Sequence, residues 1–221
     1  MVAANLDRVF VVVSLVDPPA SYELIDRLLV LVESSGLHPI LVTNKLDLDV
    51  DGAAARISEA YEGIGYGVLV VSVRSGEGLD ALRRDVCRGT SALIGPSGVG
   101  KSSLINALDP GLALRTGELS GKTGTGRHTT SSSRLIPLSC GGLVADTPGF
   151  GDVGLWGVAA AQLAACFPEL ADIDPCRFRS CAHDQEPDCG VRAAVESGRV
   201  RESRYQSYLK LYAEAAAAAE R

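Results

Sequence analysis

The 221-residue chain reads as an α/β domain on a mostly parallel sheet, followed by a small helical domain. Three observations predict this. Over residues 8–145 short apolar runs alternate with amphipathic stretches, as strands and their covering helices do in a parallel layer. A glycine-rich pattern, G-x-x-x-x-G-K-[ST], comes directly after one of those runs. After Phe150 the alternation stops, and residues 155–221 become helix-like around a cysteine-bearing loop. The boundary is expected near residue 152, giving domains 1–152 and 153–221.

The first strand is RVFVVVSLV (Arg8–Val16), a valine-rich run of the kind covered on both faces. SYELIDRLLVLVESSG follows as a helix: Leu24, Leu28, Leu31 and Val32 share one face, and Gly36 is a C-terminal stop. PILVTN is the second strand, YGVLVVSV (Tyr66–Val73) the third and TSALIG (Thr90–Gly95) the fourth. LINAL is helical, and LVADTPG closes the series. Leu112–Ser133 is polar and without periodicity, and so long a stretch inside a domain is functional or mobile. AEAAAAAE (Ala213–Glu220) is strongly helix-forming.

Every candidate ligand motif falls at the C-terminal end of a strand, where open α/β sheets bind ligands. TNKLDL (Thr43–Leu48) fits the guanine pattern N-K-x-D, and GPSGVGKSS (Gly95–Ser103) fits the phosphate loop. The guanine motif leads by about fifty residues, and DTPGF (Asp146–Phe150) comes last. Ordinary GTPases carry the phosphate loop first. The order therefore predicts a circularly permuted P-loop GTPase, since a three-dimensional site survives cutting and rejoining the chain elsewhere.

The loop comprises Gly95, Pro96, Ser97, Gly98, Val99, Gly100, Lys101, Ser102 and Ser103. Gly95, Gly98 and Gly100 let backbone N–H groups converge on phosphates, and the next helix adds positive potential. Lys101 is expected on the β- and γ-phosphates of GTP or GDP, with the Ser102 hydroxyl on Mg²⁺. Asp47 can accept from the N1–H and N2–H₂ edge of guanine. Adenine offers no such edge, and an unpaired buried carboxylate costs several kcal/mol, so ATP is rejected. Lys45 would lie along the base and Asn44 would tie neighbouring loops together. Ser72 and Val73 match loosely the loop that meets guanine O6. A chance glycine turn and a solvated Lys and Asp are the bland readings; two motifs on two strands disfavour both.

Asp146 is expected to orient Mg²⁺ through a water, and the Gly149 N–H to sense the γ-phosphate. Many GTPases then place a glutamine that positions the attacking water; here stands Phe150, which cannot. His128 in GRHTT (Gly126–Thr130) is the candidate for that water, against the reading of a surface-loop histidine. Thr129 or Thr130 would complete Mg²⁺ coordination, which makes the catalytic set His128, Lys101 and Thr130.

Cys176-x₄-Cys181-x-His183-x₅-Cys189 offers three thiolates and one imidazole, a Cys₃His set for structural Zn²⁺ with no open position. A disulfide or unrelated thiols are the alternatives. Cys87, Cys140 and Cys166 are scattered and expected as buried free thiols in a reducing compartment.

The net charge of −6 argues against wrapping nucleic acid by bulk electrostatics. RNA contact would need a local patch, Arg177/Arg179 or Arg199/Arg201/Arg204, and either could be an ordinary solvated face. No apolar run reaches the roughly 18 residues of a membrane helix, and MVAANLDR lacks a secretory n-region. A cytoplasmic monomer without a membrane partner is expected.

The order TNKLDL, GPSGVGKSSLIN, GRHTT, DTPGF, Cys-Cys-His-Cys and helical tail resembles the circularly permuted small ribosomal subunit biogenesis GTPases, the RsgA family. The resemblance runs from ANLDRVFVVVSLVDP to SRYQSYLKLY (Ser203–Tyr212). It implies GTP hydrolysis stimulated by the 30S subunit, a role late in that subunit's maturation, and a zinc-bearing domain that contacts the ribosome and its rRNA. Family members usually carry an N-terminal OB-fold domain, and nothing before Asn5 could form one. After the histidine the family often has three threonines; this chain has Thr129, Thr130 and Ser131. The leading expectation is a Mg²⁺-dependent GTPase. The alternative is a GTP-gated ribosome-binding module with negligible turnover, and an ATPase is disfavoured by Asp47.

Overall fold

A computed structural model of the chain describes residues 6–112, 114, 134–146, 155 and 157–219. The sheet is organised by β1 (Arg8–Ser14), in which Val9, Phe10, Val11, Val12 and Val13 are all fully buried. Five successive apolar side chains leave the strand no polar face, so it can only lie inside the sheet. The order is β3-β2-β1-β4-β6-β5, with β2 at Pro39–Asn44, β3 at Gly67–Val70, β4 at Thr90–Ile94, β5 at Arg134–Pro137 and β6 at Leu143–Asp146. All pairs are parallel except β5 with β6.

The chain steps outward from β1 through β2 to β3, then returns to place β4 on the other side of β1. That reversal opens a crevice beyond the C-terminal ends of β1 and β4, where α/β sheets take their ligands. Helices α2 (Ala53–Glu62), α3 (Leu79–Val86) and α4 (Lys101–Leu108) are the connections on this part of the chain. Phe10, Val12, Val42, Leu82, Val86, Leu104, Ile105 and Val144 belong to one buried cluster.

The five strands expected from sequence are present, and β5 is an addition. RLIP alternates for only four residues, and Leu135 is half exposed at the sheet edge, so its signal is weak. Two further readings are corrected. Cys87 and Cys140 are not buried free thiols: they form a disulfide with Cα atoms 5.7 Å apart, and Cys140 is exposed. Cys166 is a buried free thiol, as expected. Arg204 does not belong to a surface patch, being only 4% exposed, and Arg199 is paired with Asp174.

The chain divides into two compact units, 1–20 with 37–153 and 21–36 with 154–221. The second contains α1 (Tyr22–Glu33), α5 (Gly190–Glu196) and α6 (Glu202–Ala219). Helix α1 starts at Ser21, whose hydroxyl accepts from the Leu24 N–H. Its buried set includes Asp26 and Leu29 and is wider than the single apolar stripe predicted. The reason lies on α6: the Arg204 guanidinium donates to Asp26 at 2.5 Å and to both Glu169 oxygens at 2.6 and 3.1 Å. It also lies 4.5 Å over the Phe167 ring. Burial works against its charge, but the Glu169 and Asp26 carboxylates more than offset this and hold its pKa above the usual range. No helix among the described residues is long and apolar enough to cross a membrane.

Removing one partner of a buried ion network strands the others. Arg204→Ala should therefore cost about 3–5 kcal/mol in urea unfolding followed by circular dichroism. Arg177→Ala, which breaks the exposed pair with Asp188, should cost below about 1 kcal/mol. Equal effects would refute this account of the network.

Candidate functional site

Strand β4 delivers its loop into the crevice, and α4 begins at Lys101 behind the αL residue Gly100 (φ 97°). A Cβ on Gly100 would sit 2.4 Å from Asn44 Nδ2. Glycine is required there, because the Asn44 amide passes through that space to donate to the Val99 carbonyl at 2.9 Å. Asn44 Oδ1 in turn accepts from the Lys45 N–H at 2.8 Å. One buried side chain thus fastens the end of β2 to the glycine-rich loop across 55 positions of sequence.

Around this tie the loop is graded. Val99 is buried, Pro96 half-buried, and Ser97 and Gly98 exposed at the rim. Lys101 and Ser102 are buried at the start of α4, with Ser103 half-buried beside them. The Lys101 ammonium donates to the Gly95 and Pro96 carbonyls, each at 2.7 Å. Burial lowers its pKa to about 8. The first turn of α4 presents N–H groups that no helix carbonyl can accept. Such a cradle of N–H groups and one cation suits a polyphosphate.

Asp47 lies in a short 3-10 turn, Leu46–Leu48, directly after β2. Its Oδ1 accepts from the Ser72 hydroxyl at 2.5 Å, and Ser72 is fully buried and also accepts from the Ser75 N–H. Val73 is half-buried and packs against the core cluster, which seats this loop. Arg74, not singled out in the sequence, approaches Asp47 Oδ2 at 4.0 Å. Its only signal was its position two residues past Ser72. Lys45 has φ 68°, and its ammonium donates to the Val16 carbonyl at 3.1 Å and to that of Asp17. The carboxylate at Asp47 is an acceptor for a planar ligand edge that carries adjacent N–H donors. Asp146 ends β6, next to β4 in the sheet. His128, Thr129, Thr130, Gly149 and Phe150 lie outside the described residues.

The second unit carries a separate cluster. Ligand atoms of Cys176, Cys181, His183 and Cys189 lie within 4.8 Å of one another. Cys176 Sγ is 3.8 Å from Cys189 Sγ and 3.4 Å from His183 Nδ1. A tetrahedron with metal–sulfur bonds of about 2.3 Å has edges of roughly 3.8 Å, so the donor set and its spacing fit Zn²⁺. The surrounding loop is also held by contacts other than the four ligand side chains. Tyr205 and Tyr208 on α6 donate to the carbonyls of His183 and Ala182 at 2.6 and 2.9 Å. Glu186 accepts from the Ala182 and Asp184 N–H groups, which keep its carboxyl below the usual range.

Two outcomes follow from these geometries. Between about pH 8 and the ordinary lysine value, the unfolded chain holds a proton on Lys101 that the folded chain has lost. Lys101 therefore makes stability rise with pH in that window, and Lys101→Met should remove this part of the rise in urea midpoints compared at pH 7.5 and 9.5; identical pH dependence in both proteins contradicts it. After dialysis, metal analysis should find about one zinc per chain, and Cys181→Ser should lower it sharply. A chain free of zinc would sink the assignment.

The RsgA GTPase family matches residues 1–156. A small ribosomal subunit biogenesis GTPase RsgA of Gemmatimonas aurantiaca is 50% identical over 212 residues, 96% of this chain and 69% of its own. The protein of that name from Moorella thermoacetica is 46% identical over 96% of this chain and 73% of its own. The crystal structure of YjeQ from Thermotoga maritima superposes with a TM-score of 0.82 at 37% identity, covering 96% of this chain and 72% of that one. YloQ, described as a circularly permuted GTPase, gives 0.75 at 35% identity over 96% and 68%. The chain belongs to the RsgA GTPase family and is a circularly permuted GTP hydrolase.

Proposed function

We propose that this GTPase acts in the cytoplasm during late maturation of the small ribosomal subunit, and that contact with the 30S particle and its rRNA stimulates its turnover. The observation that carries the nucleotide assignment is the Asn44–Val99 tie, which holds a base-reading carboxylate and a phosphate cradle in one crevice. In this reading Asp47 accepts from the guanine edge, positioned by the Ser72 hydroxyl. Lys45 flanks the base, and the loop at Ser72 and Val73 meets guanine O6. Residues Gly95 to Ser103 wrap the phosphates, with Lys101 neutralising the β- and γ-oxygens. Mg²⁺ would be held by Ser102 and by Thr129 or Thr130, with Asp146 acting through a water, and Gly149 would sense the γ-phosphate. The ion would supply charge neutralisation for the transferring phosphoryl group. His128 positions the attacking water, because Phe150 offers no hydrogen bond for that task. Zn²⁺ at Cys176, Cys181, His183 and Cys189 is structural in this account. The relatives' names support the 30S assignment.

The test is GTP turnover with and without purified 30S subunits, for the wild type, Asp47→Asn and His128→Ala. Wild-type turnover should rise at least about tenfold with subunits. Asp47→Asn should lose GTP turnover and gain that of XTP, whose C2 carbonyl accepts where guanine donates. His128→Ala should bind GTP normally yet lose about 10²-fold or more in stimulated rate; an unchanged rate removes the water assignment. Tight GTP binding with negligible turnover under all conditions would favour the gated binding module instead.

A further inference from the structure

Cys87 closes α3, and Cys140 lies in the β5–β6 turn, 53 positions on; a disulfide joins them. Cys140 is exposed and Cys87 half-buried, so neither sulfur is there to fill the core. The contact is built into the backbone. A Cβ on Gly142 would meet the Val86 carbonyl oxygen at 2.6 Å and Cys87 Cα at 2.9 Å, so only glycine lets the turn lie on the helix end. A second, non-covalent anchor holds the same turn: Asp109, next to the end of α4, accepts from the Ser139 N–H at 2.6 Å. Within the turn, Leu138 N–H donates to the Gly142 carbonyl at 2.8 Å. When the S–S bond opens, these contacts keep the two thiols adjacent.

The turn end of the hairpin is the Pro137–Leu143 pair, and the Arg134–Asp146 pair is at the other end. There β5 receives the chain from GRHTT and β6 runs into DTPGF. The clasp therefore sits at the opposite end of the strands from the crevice, on the hairpin that joins the two segments read above as nucleotide-sensing. The inference rests on that reading for its link to GTP and for the thiol-rich cytoplasm.

We propose that Cys87 and Cys140 are a reversible thiol–disulfide clasp, a modification site for thiol reductants such as glutathione, that sets how firmly the β5–β6 hairpin is held. A reductant thiolate attacks the exposed Cys140 sulfur; the S–S bond breaks and Cys87 leaves as a thiolate that takes a proton. The second reductant thiol then attacks the mixed disulfide, releasing Cys140 as a thiol and leaving the reductant as a disulfide. Two electrons and two protons pass to the protein. Disulfides of thiol-rich compartments are transient and sensing rather than permanent staples. The other cysteines do not compete: Cys166 is buried and its thiol pushed up, and the remaining three belong to the Cys₃His cluster.

The experiment equilibrates the full chain in glutathione buffers from reduced to oxidised and blocks free thiols before peptide mass analysis. Cys87 and Cys140 should convert together within that range while the other four cysteines stay unchanged. Amide hydrogen exchange over residues 134–146 should run at least about tenfold faster in the reduced form, and its melting point should fall by about 10 °C, the scale of opening a loop of this length. Cys140→Ser should match the reduced protein in every buffer. A pair that stays dithiol throughout, equal exchange in both forms, or a redox response that survives in Cys140→Ser overturns the clasp. These arms contain no nucleotide, so their success beside a failed turnover assay would sink the GTPase-cycle reading and leave the clasp standing.

Discussion

The first unit depends on one amide. Asn44 lies at the end of β2, is almost fully buried, and spends its donor on the Val99 carbonyl and its acceptor on the Lys45 N–H. Each partner belongs to a different ligand-binding motif. A buried amide without both bonds would carry a desolvation cost of about 1–3 kcal/mol, so the two motifs hold each other in place. Gly100 exists to leave the amide its path. The αL turn at Gly100 then aims the start of α4, with Lys101 and Ser102, into the same crevice.

This explains how the chain tolerates its unusual order. Strand neighbours, not sequence neighbours, define the crevice: β1 lies between β2 and β4, and the motifs follow β2 and β4. Any connection that preserves those neighbours preserves the site. At the edge of the sheet β5 and β6 form an antiparallel hairpin. There the chain adds an Asp109 anchor, a Gly142 contact and a disulfide, three devices acting on one turn.

The sequence was most legible where function and backbone coincide. The valine run of β1, the glycine-rich loop and the Cys₃His spacing each follow from local chemistry, and each appears in the structure as strand, loop and cluster. What stayed hidden depends on distant partners. Strand β5 is four residues long with an exposed leucine, too short for alternation to speak. The Cys87–Cys140 pair has no spacing signal, because proximity arises only when α3 and the hairpin turn pack. Arg204 reads as surface charge from its neighbours Arg199 and Arg201, and only Asp26, 178 positions away, reveals it as buried. Arg74 is likewise visible beside Asp47 only in three dimensions.

Helix α1 carries a consequence for dissection of the molecule. Its residues fall between β1 and β2 in the chain, yet it is counted with α5 and α6. The second unit is therefore discontinuous, and no single cut separates the two. A truncation after residue 153 would keep Asp26 and Leu29 but delete Arg204, exposing an apolar helix whose buried Asp26 has lost its guanidinium partner. The cysteine-bearing segment expressed alone would lack the helix that supplies Arg204 with one of its two anions. The second unit can be transplanted only as two segments, 21–36 and 154–221.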